Sequence, residues 1–412
     1  MNRRVVVTGM GCITPIGNNV DEFWKGIEEK KCGIDKITAF DTTDYKVTLA
    51  GEIKNFNPEE YIDKKEAKRM DRFTQLAMVA AKEVMVDSQL NVDEIDSTRF
   101  GLIIGSGIGG LGTTETGVTI LNEKGPGRVS PFFIPMAITN MAAGNVSIAI
   151  GAKGQSGSFS TACASATDAL GDAFRMIRHG YQDVMMAGGT EAAVIPIAIA
   201  SFSNMKALST STDKNRASIP FDKERNGFVM GEGAGALILE EYEHAMARGA
   251  KIYCEIGGYG ATCDANHVTA PLEDGSMAAK CMEMAMEDAK VSPEKIQYIN
   301  AHGTSTKLND KGETAAIKLA FNDHAYKLCV SSTKSMTGHL LGASGGVEAI
   351  ITALSVKNDV VPATINYKNP DEECDLDIVP NESRKQAVDY ALSNSLGFGG
   401  HNASILFKKV GK

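Results

Sequence analysis

The feature that most constrains this chain is a recurring unit, an apolar run of strand length ended by glycines. Arg4 to Gly11 opens the series with RVVVTGMG, Phe100 to Gly110 continues it with FGLIIGSGIGG and Asp183 to Glu191 with DVMMAGGTE, and Gly235 to Glu241 closes it. Runs of this kind, separated by amphipathic stretches of helical length, specify an α/β protein with a buried sheet. At about Lys251 the series restarts. Ile252 to Gly260 echoes the opening run, Ile296 to Gly303 stands where FGLIIGSG stood, and Ala403 to Lys408 closes the chain as Gly235 to Glu241 closed the first series. The echo predicts two similar α/β halves, residues 1–250 and 251–412, with a site between their strand ends.

Composition excludes other classes. The 412 residues are 43% hydrophobic and 23% charged, ordinary for a folded soluble chain. No apolar run approaches the roughly 18 residues of a membrane span. Met1 to Gly11 reads as a strand rather than a secretory signal, so a cytoplasmic protein is expected. The 8 cysteines are scattered without CxxC or Cys/His spacing, which predicts reduced thiols and no structural metal. A net charge of -9 argues against a nucleic-acid binder. Against that acidic background Lys64, Lys65, Lys68 and Arg69 form the densest basic cluster, read either as a solvated helix end or as a dock for an acidic partner. The GSGIGG run lacks the GxGxxG spacing of a dinucleotide site, and no helix with an acidic ribose ligand follows it at the expected distance.

The chemistry centres on Ser160 to Ala166, STACASA. Ala166, Ala169, Leu170, Ala173, Phe174 and Ile177 repeat on one helical face and Gly180 follows basic residues, so a helix is predicted from about Cys163 to His179. Ser160 and Thr161 are available to cap it. Cys163 then sits at the positive end of a helix dipole, where a thiol pKa falls and more thiolate forms. A buried inert cysteine is the other reading of this stretch. In the second half His302 lies in NAHGTST just past a strand end, and His339 precedes a glycine-rich helix start, Gly342 to Val347. Two histidines in matching positions that face a thiol can act as neutral imidazoles donating to a developing oxyanion. Lys334 and Glu348 read as a buried ion pair fixing this loop, or as two exposed charges. Phe398 among glycines reads as a hinged flap, or as a plain turn with a buried Phe.

Taken in order, TACASA at Cys163, DKERNGFVMGEGAG from Asp222, NAHGTST at His302, SSTKSMTGHLLGASGG at His339 and NSLGFGGHN at Phe398 closely resemble one family over the whole chain. It is that of the β-ketoacyl-acyl carrier protein synthases of fatty-acid synthesis, in particular the synthase II type. The resemblance implies a thiolase-like duplicated five-layered α-β-α-β-α sandwich, a homodimer and Cys-His-His chemistry. It implies that Cys163 takes an acyl chain from acyl carrier protein, with the amides of Cys163 and Phe398 as oxyanion hole. His302 and His339 would hold the malonyl thioester carbonyl as CO2 leaves, and Lys334 with its partner Glu348 would support the histidine loop.

The same resemblance puts Ile108 at a narrowing of the acyl pocket at the dimer interface, with Phe202, Thr304, Thr306, Gly399 and Gly400 along the substrate path. The basic cluster, joined by Lys124, Arg128 and Lys206, would dock the carrier. No redox cofactor is implied; some members hold a monovalent cation near Asn300, Glu348, Ser393 and Asn394. His401 departs from the family pattern, in which many relatives carry threonine.

Three other readings are weighed. A thiolase-type transferase using coenzyme A needs a second cysteine in the C-terminal glycine loop, which here has none. A non-catalytic carrier-binding partner subunit lacks the nucleophile, whereas this chain keeps Cys163, His302 and His339. A polyketide ketosynthase shares all the chemistry; the free-standing length favours fatty-acid synthesis.

Overall fold

In the computed structural model, which describes residues 3–412, ten strands form one mixed sheet. Met1 and Asn2, the start of the stretch read as the opening strand, lie outside the described residues. In chain order the strands are β1 (Val5–Ile13), β2 (Phe100–Gly105), β3 (Ser156–Gly157), β4 (Val184–Glu191), β5 (Gly233–Glu241), β6 (Cys254–Cys263), β7 (Tyr298–Asn300), β8 (Cys329–Ser331), β9 (Tyr390–Gly397) and β10 (His401–Lys408). Across the sheet they run β8-β7-β9-β10-β6-β1-β5-β4-β2-β3.

Outward from the centre, β1-β5-β4-β2-β3 on one side is matched by β6-β10-β9-β7-β8 on the other, each strand's counterpart lying five later. Directions match as well. The β1–β5 and β5–β4 pairs are antiparallel and β4–β2 and β2–β3 parallel; β6–β10, β10–β9, β9–β7 and β7–β8 repeat that pattern. The two sets meet where residues 5–7 of β1 pair with residues 254–256 of β6.

Five helices, α1 (Arg72–Ser88), α2 (Ser165–Arg178), α3 (Ser276–Ala289), α4 (Lys307–Phe321) and α5 (Ser344–Asn358), build the layers. On one outer face α1 covers β1, β5 and β4; on the other α3, packed beside α4, covers β6 and β10. Between the strand sets lie α2 and α5, which touch each other. α2 packs on β4 and β2 and also on β6 and β10, while α5 packs on β5 and β9. The fold is thus the thiolase-like α-β-α-β-α sandwich, and its inner strands are buried throughout because helices cover both faces. Glycine sets the closest approach in the middle layer. A Cβ at Gly345 would lie 2.1 Å from Thr167 Oγ1, so the crossing of α5 over α2 requires its absence.

Two local expectations change. Ala162–Ala164 forms a 3-10 turn and α2 begins only at Ser165. Neither Ser160 nor Thr161 caps it, because the chain turns sharply at Ala162 (φ +51°) and swings both hydroxyls away. Ser160 Oγ donates to Gly107 O and Thr161 Oγ1 to Asp168 Oδ2. The strand ahead of Cys163 is two residues long, Ser156–Gly157. Among the described residues no helix is long and apolar enough to cross a membrane.

Candidate active site

The chain brings Cys163, His302 and His339 together from three separate loops: their ligand atoms all lie within 4.8 Å of one another. Cys163 occupies the turn between β3 and α2. Ser165 staples that turn, accepting from Thr161 N at 3.0 Å and donating to Ala162 O at 2.6 Å. His339 is fixed by its backbone, which donates to Val229 O at 2.7 Å and accepts from Gly231 N at 2.8 Å. Its Nε2 lies 3.1 Å from Cys163 Sγ and its Nδ1 2.9 Å from Ser344 Oγ. His302 follows β7, and its ring stands nearly perpendicular to that of His339, with centroids 5.2 Å apart.

Electrostatics corrects one expectation. Burial pushes the Cys163 thiol up to about 12, against the opposing charge of Lys334 and the Phe398 amide. The resting cysteine is therefore a thiol, not the thiolate that a helix-start position predicts, because loss of solvent outweighs a dipole that begins two residues later. Both imidazoles are neutral. Burial holds His302 and His339 well below the ordinary histidine range, and the Lys334 charge reinforces it. Lys334 and Glu348 form a buried ion pair, so of the two readings of these charges the paired one holds.

An aromatic chain ties the histidines to the C-terminal loop. Phe228 stands edge-on to His339 at 5.2 Å and to Phe202 at 5.6 Å, and Phe202 stacks on Phe398 at 6.2 Å. Gly397 presses this loop against the cysteine turn: a Cβ there would lie 3.3 Å from Cys163 N. A cavity of about 610 Å³ opens beside these groups. Cys163, Phe398, Ile108, Thr304, Thr306 and Lys206 are among its lining residues, whereas Gly399 is not; its amide instead donates to Val268 O at 2.7 Å.

Away from the thiol, Asn300 Oδ1, Glu348 Oε2 and Ser393 Oγ are buried without a hydrogen-bond partner, and Asn300 and Ser393 are register neighbours on β7 and β9. Asn394 is turned the other way, its Oδ1 accepting from Ser404 Oγ. The basic residues Lys64, Lys65, Lys68, Arg69, Lys124, Arg128 and Lys206 are all exposed, with Lys64 paired to Glu59 and Arg69 over the Phe132 ring at 4.7 Å.

Sequence reasoning passes over two buried glutamates. Glu313 accepts from His302 N and Gly303 N, both at 2.8 Å, and burial pushes it up to about 7. Glu191 accepts from Gly107 N, Ile108 N, Gly342 N and Ser106 Oγ. The signal for Glu313 was a carboxylate among the small apolar residues of α4, Gly312 to Ala316. Sequence spacing is otherwise uninformative about the amide partners of either glutamate, which lie 83 to 151 residues from Glu191 and 10 or 11 from Glu313.

A protonated thiol beside two neutral imidazoles, at the mouth of an apolar cavity, is the equipment of a covalent acyl transferase. The chain belongs to the β-ketoacyl synthase family: residues 2–245 match its N-terminal domain and residues 253–368 its C-terminal domain. It is 56% identical over 408 residues to 3-oxoacyl-[acyl-carrier-protein] synthase 2 of Staphylococcus aureus strain COL, covering 99% of both chains. The synthase 2 of Synechocystis sp. is 54% identical, with 99% of this chain and 98% of that one covered. In structure it is similar to a chain of the solved complex of a type II polyketide acyl-carrier protein with its ketosynthase, with a TM-score of 0.92, 36% identity and full coverage of both chains.

Proposed function

We propose that this chain is a fatty-acid condensing enzyme of the synthase II type, acting in the cytoplasm on acyl and malonyl groups carried by acyl carrier protein. The observation that carries the reading is the 3.1 Å approach of His339 Nε2 to Cys163 Sγ, with the His302 ring alongside. In the first half-reaction Cys163 attacks the acyl thioester, an S–C bond forms, and the carrier leaves as its thiol. The Cys163 and Phe398 amides hold the oxyanion. In the second, His302 and His339 donate to the malonyl thioester carbonyl while its carboxylate departs as CO2. The carbanion attacks the acyl carbon, Cys163 is released, and the carrier holds a β-ketoacyl chain two carbons longer. Neutral donors suit this step, since a developing enolate needs positioned hydrogen bonds rather than a strong base.

Division of labour between residues 1–250, with the nucleophile and Ile108, and 251–412, with both histidines, follows from this scheme. Exposed Val118, Leu121, Phe132, Ile134, Ile138 and Ile148, the last on a helix packed against the two-residue edge strand β3, support a homodimer closed over that face. Exposed Lys65, Lys68, Lys124, Arg128 and Lys206 support carrier docking, with Lys206 at the cavity mouth. The orphaned oxygens of Asn300, Glu348 and Ser393 fit a monovalent cation, which when bound would offset the second oxygen of Glu348 and add no chemistry. The likeness to a polyketide ketosynthase favours a second reading, on a longer poly-keto chain.

Mass spectrometry of carrier-bound products tests this. Acyl carrier and malonyl carrier mixed with the protein should yield a carrier species one ketide unit longer with CO2 released. Acylation of Cys163 without extension would defeat the condensation reading, and repeated extension without reduction would favour the polyketide one.

A further inference from the structure

Arg225 comes three residues before Phe228, the aromatic that stands edge-on to His339, and is itself buried, 2% exposed. A charge in that position is costly unless its donors are met, and here each nitrogen has a partner. Nε donates to Thr306 O at 3.2 Å and faces Asp310 Oδ2 at 3.5 Å, and Nη2 donates to Lys307 O at 3.2 Å. Nη1 donates to Asp222 O at 2.9 Å and to the Asp371 carboxylate. Two of these acceptors are carbonyls of the loop that leads from His302 into α4. Thr304, Thr306 and Lys307 of that loop line the cavity beside Cys163.

The loop has a shape that needs support. Ser305 at φ +71° and the neighbouring Phe221 at φ +66° are both non-glycine residues in the left-handed region. One carboxylate, that of Asp310 in the first turn of α4, holds both, accepting from Ser305 N at 3.2 Å and from Phe221 N at 2.8 Å. Arg225 is its counter-charge. Ser305 points its hydroxyl away from the cavity, to accept from Ile219 N at 3.0 Å, while Thr304 and Thr306 pair their hydroxyls at 3.0 Å. His302 and Gly303 are anchored separately, through the Glu313 carboxylate. The loop therefore has two anchors, one for the histidine and one for the threonine pair.

We propose that Arg225 is a positioning residue for carrier-borne substrates, fixing the Thr304–Thr306 wall against which the thiol arm of a carrier thioester lies; this rests on the condensation reading above. Because Glu313 holds His302 independently, the groups that carry out the chemistry keep their places when Arg225 is altered. A wall touching the arm away from the reacting carbon binds ground state and transition state alike, so its loss raises KM and leaves kcat. A lysine at this position keeps a charge opposite Asp310. Its single ammonium nitrogen cannot span two carbonyls of the loop and two carboxylates, which the planar guanidinium fork does.

Steady-state condensation with acyl and malonyl carriers, set beside alkylation of Cys163 by iodoacetamide, a reagent with no arm, tests this. Arg225→Lys should raise KM for the malonyl carrier by about tenfold with kcat within about twofold of wild type. Its alkylation rate should match wild type. If Arg225→Lys does not fold, Asp371→Asn loosens the outer end of the guanidinium at a part-exposed site and should raise KM by about threefold, with kcat and alkylation again unchanged. An unchanged KM, or a kcat or alkylation rate that falls as far as KM rises, would overturn the proposal. A wild-type protein that is alkylated at Cys163 but extends no carrier-borne chain would instead overturn the condensation reading, and the proposal with it.

Discussion

Two turns of the same build enter the middle layer, and only one carries a nucleophile. Ala162–Ala164 leads into α2 at Ser165, and Leu341–Ala343 leads into α5 at Ser344. Each opens on a non-glycine residue in the left-handed region, Ala162 at φ +51° and Leu341 at +49°, a conformation that costs energy and is held by its surroundings. The second position then differs. The first turn has Cys163; the second has Gly342, where a Cβ would lie 2.3 Å from Gly107 N and 2.7 Å from Glu191 Oε2. One turn therefore points a thiol into a cavity, while the other is pressed into backbone and delivers the adjacent His339. Duplication supplied two similar turns, and packing assigned them different chemistry.

The strand ends repeat the lesson. Past β2, Glu191 holds the amides of Gly107 and Ile108; past β7, Glu313 holds those of His302 and Gly303. The same device fixes Ile108 on the cavity wall in one half and His302 beside the thiol in the other.

Removing the difference between the turns is the strongest way to break this comparison. Cys163→Ala should abolish acyl transfer while thermal unfolding stays near wild type; residual elongation would mean that the first turn is not the reactive one. His302→Ala should slow CO2 release by about 10²-fold with acyl transfer less affected, and equal losses in both would blur the division between halves. Gly342→Ala should destabilise the protein by about 1–3 kcal/mol, read as a lowered unfolding midpoint, since backbone must shift. An unchanged midpoint would show that the second turn has room for a side chain after all. Ile108→Phe should shift preference toward shorter acyl chains by about tenfold, measured over a chain-length series.

A last test concerns the pH response of Glu313. Its carboxyl titrates at about 7 in the folded protein against an ordinary 4.5. A raised value means that its stabilising contribution is complete below about 4.5 and is lost as pH rises through 7, by on the order of 3 kcal/mol at most. Glu313→Gln should flatten that part of the unfolding-versus-pH curve; an unchanged slope would assign it to another group.

Much of this was legible in the chain itself. The echo between the two series of apolar runs foretold the doubled strand order, because a strand covered on both faces is largely apolar along its length. Cys163, His302 and His339 stood out as reactive side chains set among small residues at strand ends. Tertiary structure alone decided the rest. Whether a cysteine ahead of a helix rests as thiol or thiolate depends on how much water reaches it, and burial here reversed the expectation from the dipole. Glu313, Glu191 and Arg225 act through partners that sequence spacing does not reveal. A hydrogen bond is set by distance and direction in space, so the sequence determined which groups were available, and folding determined which of them met.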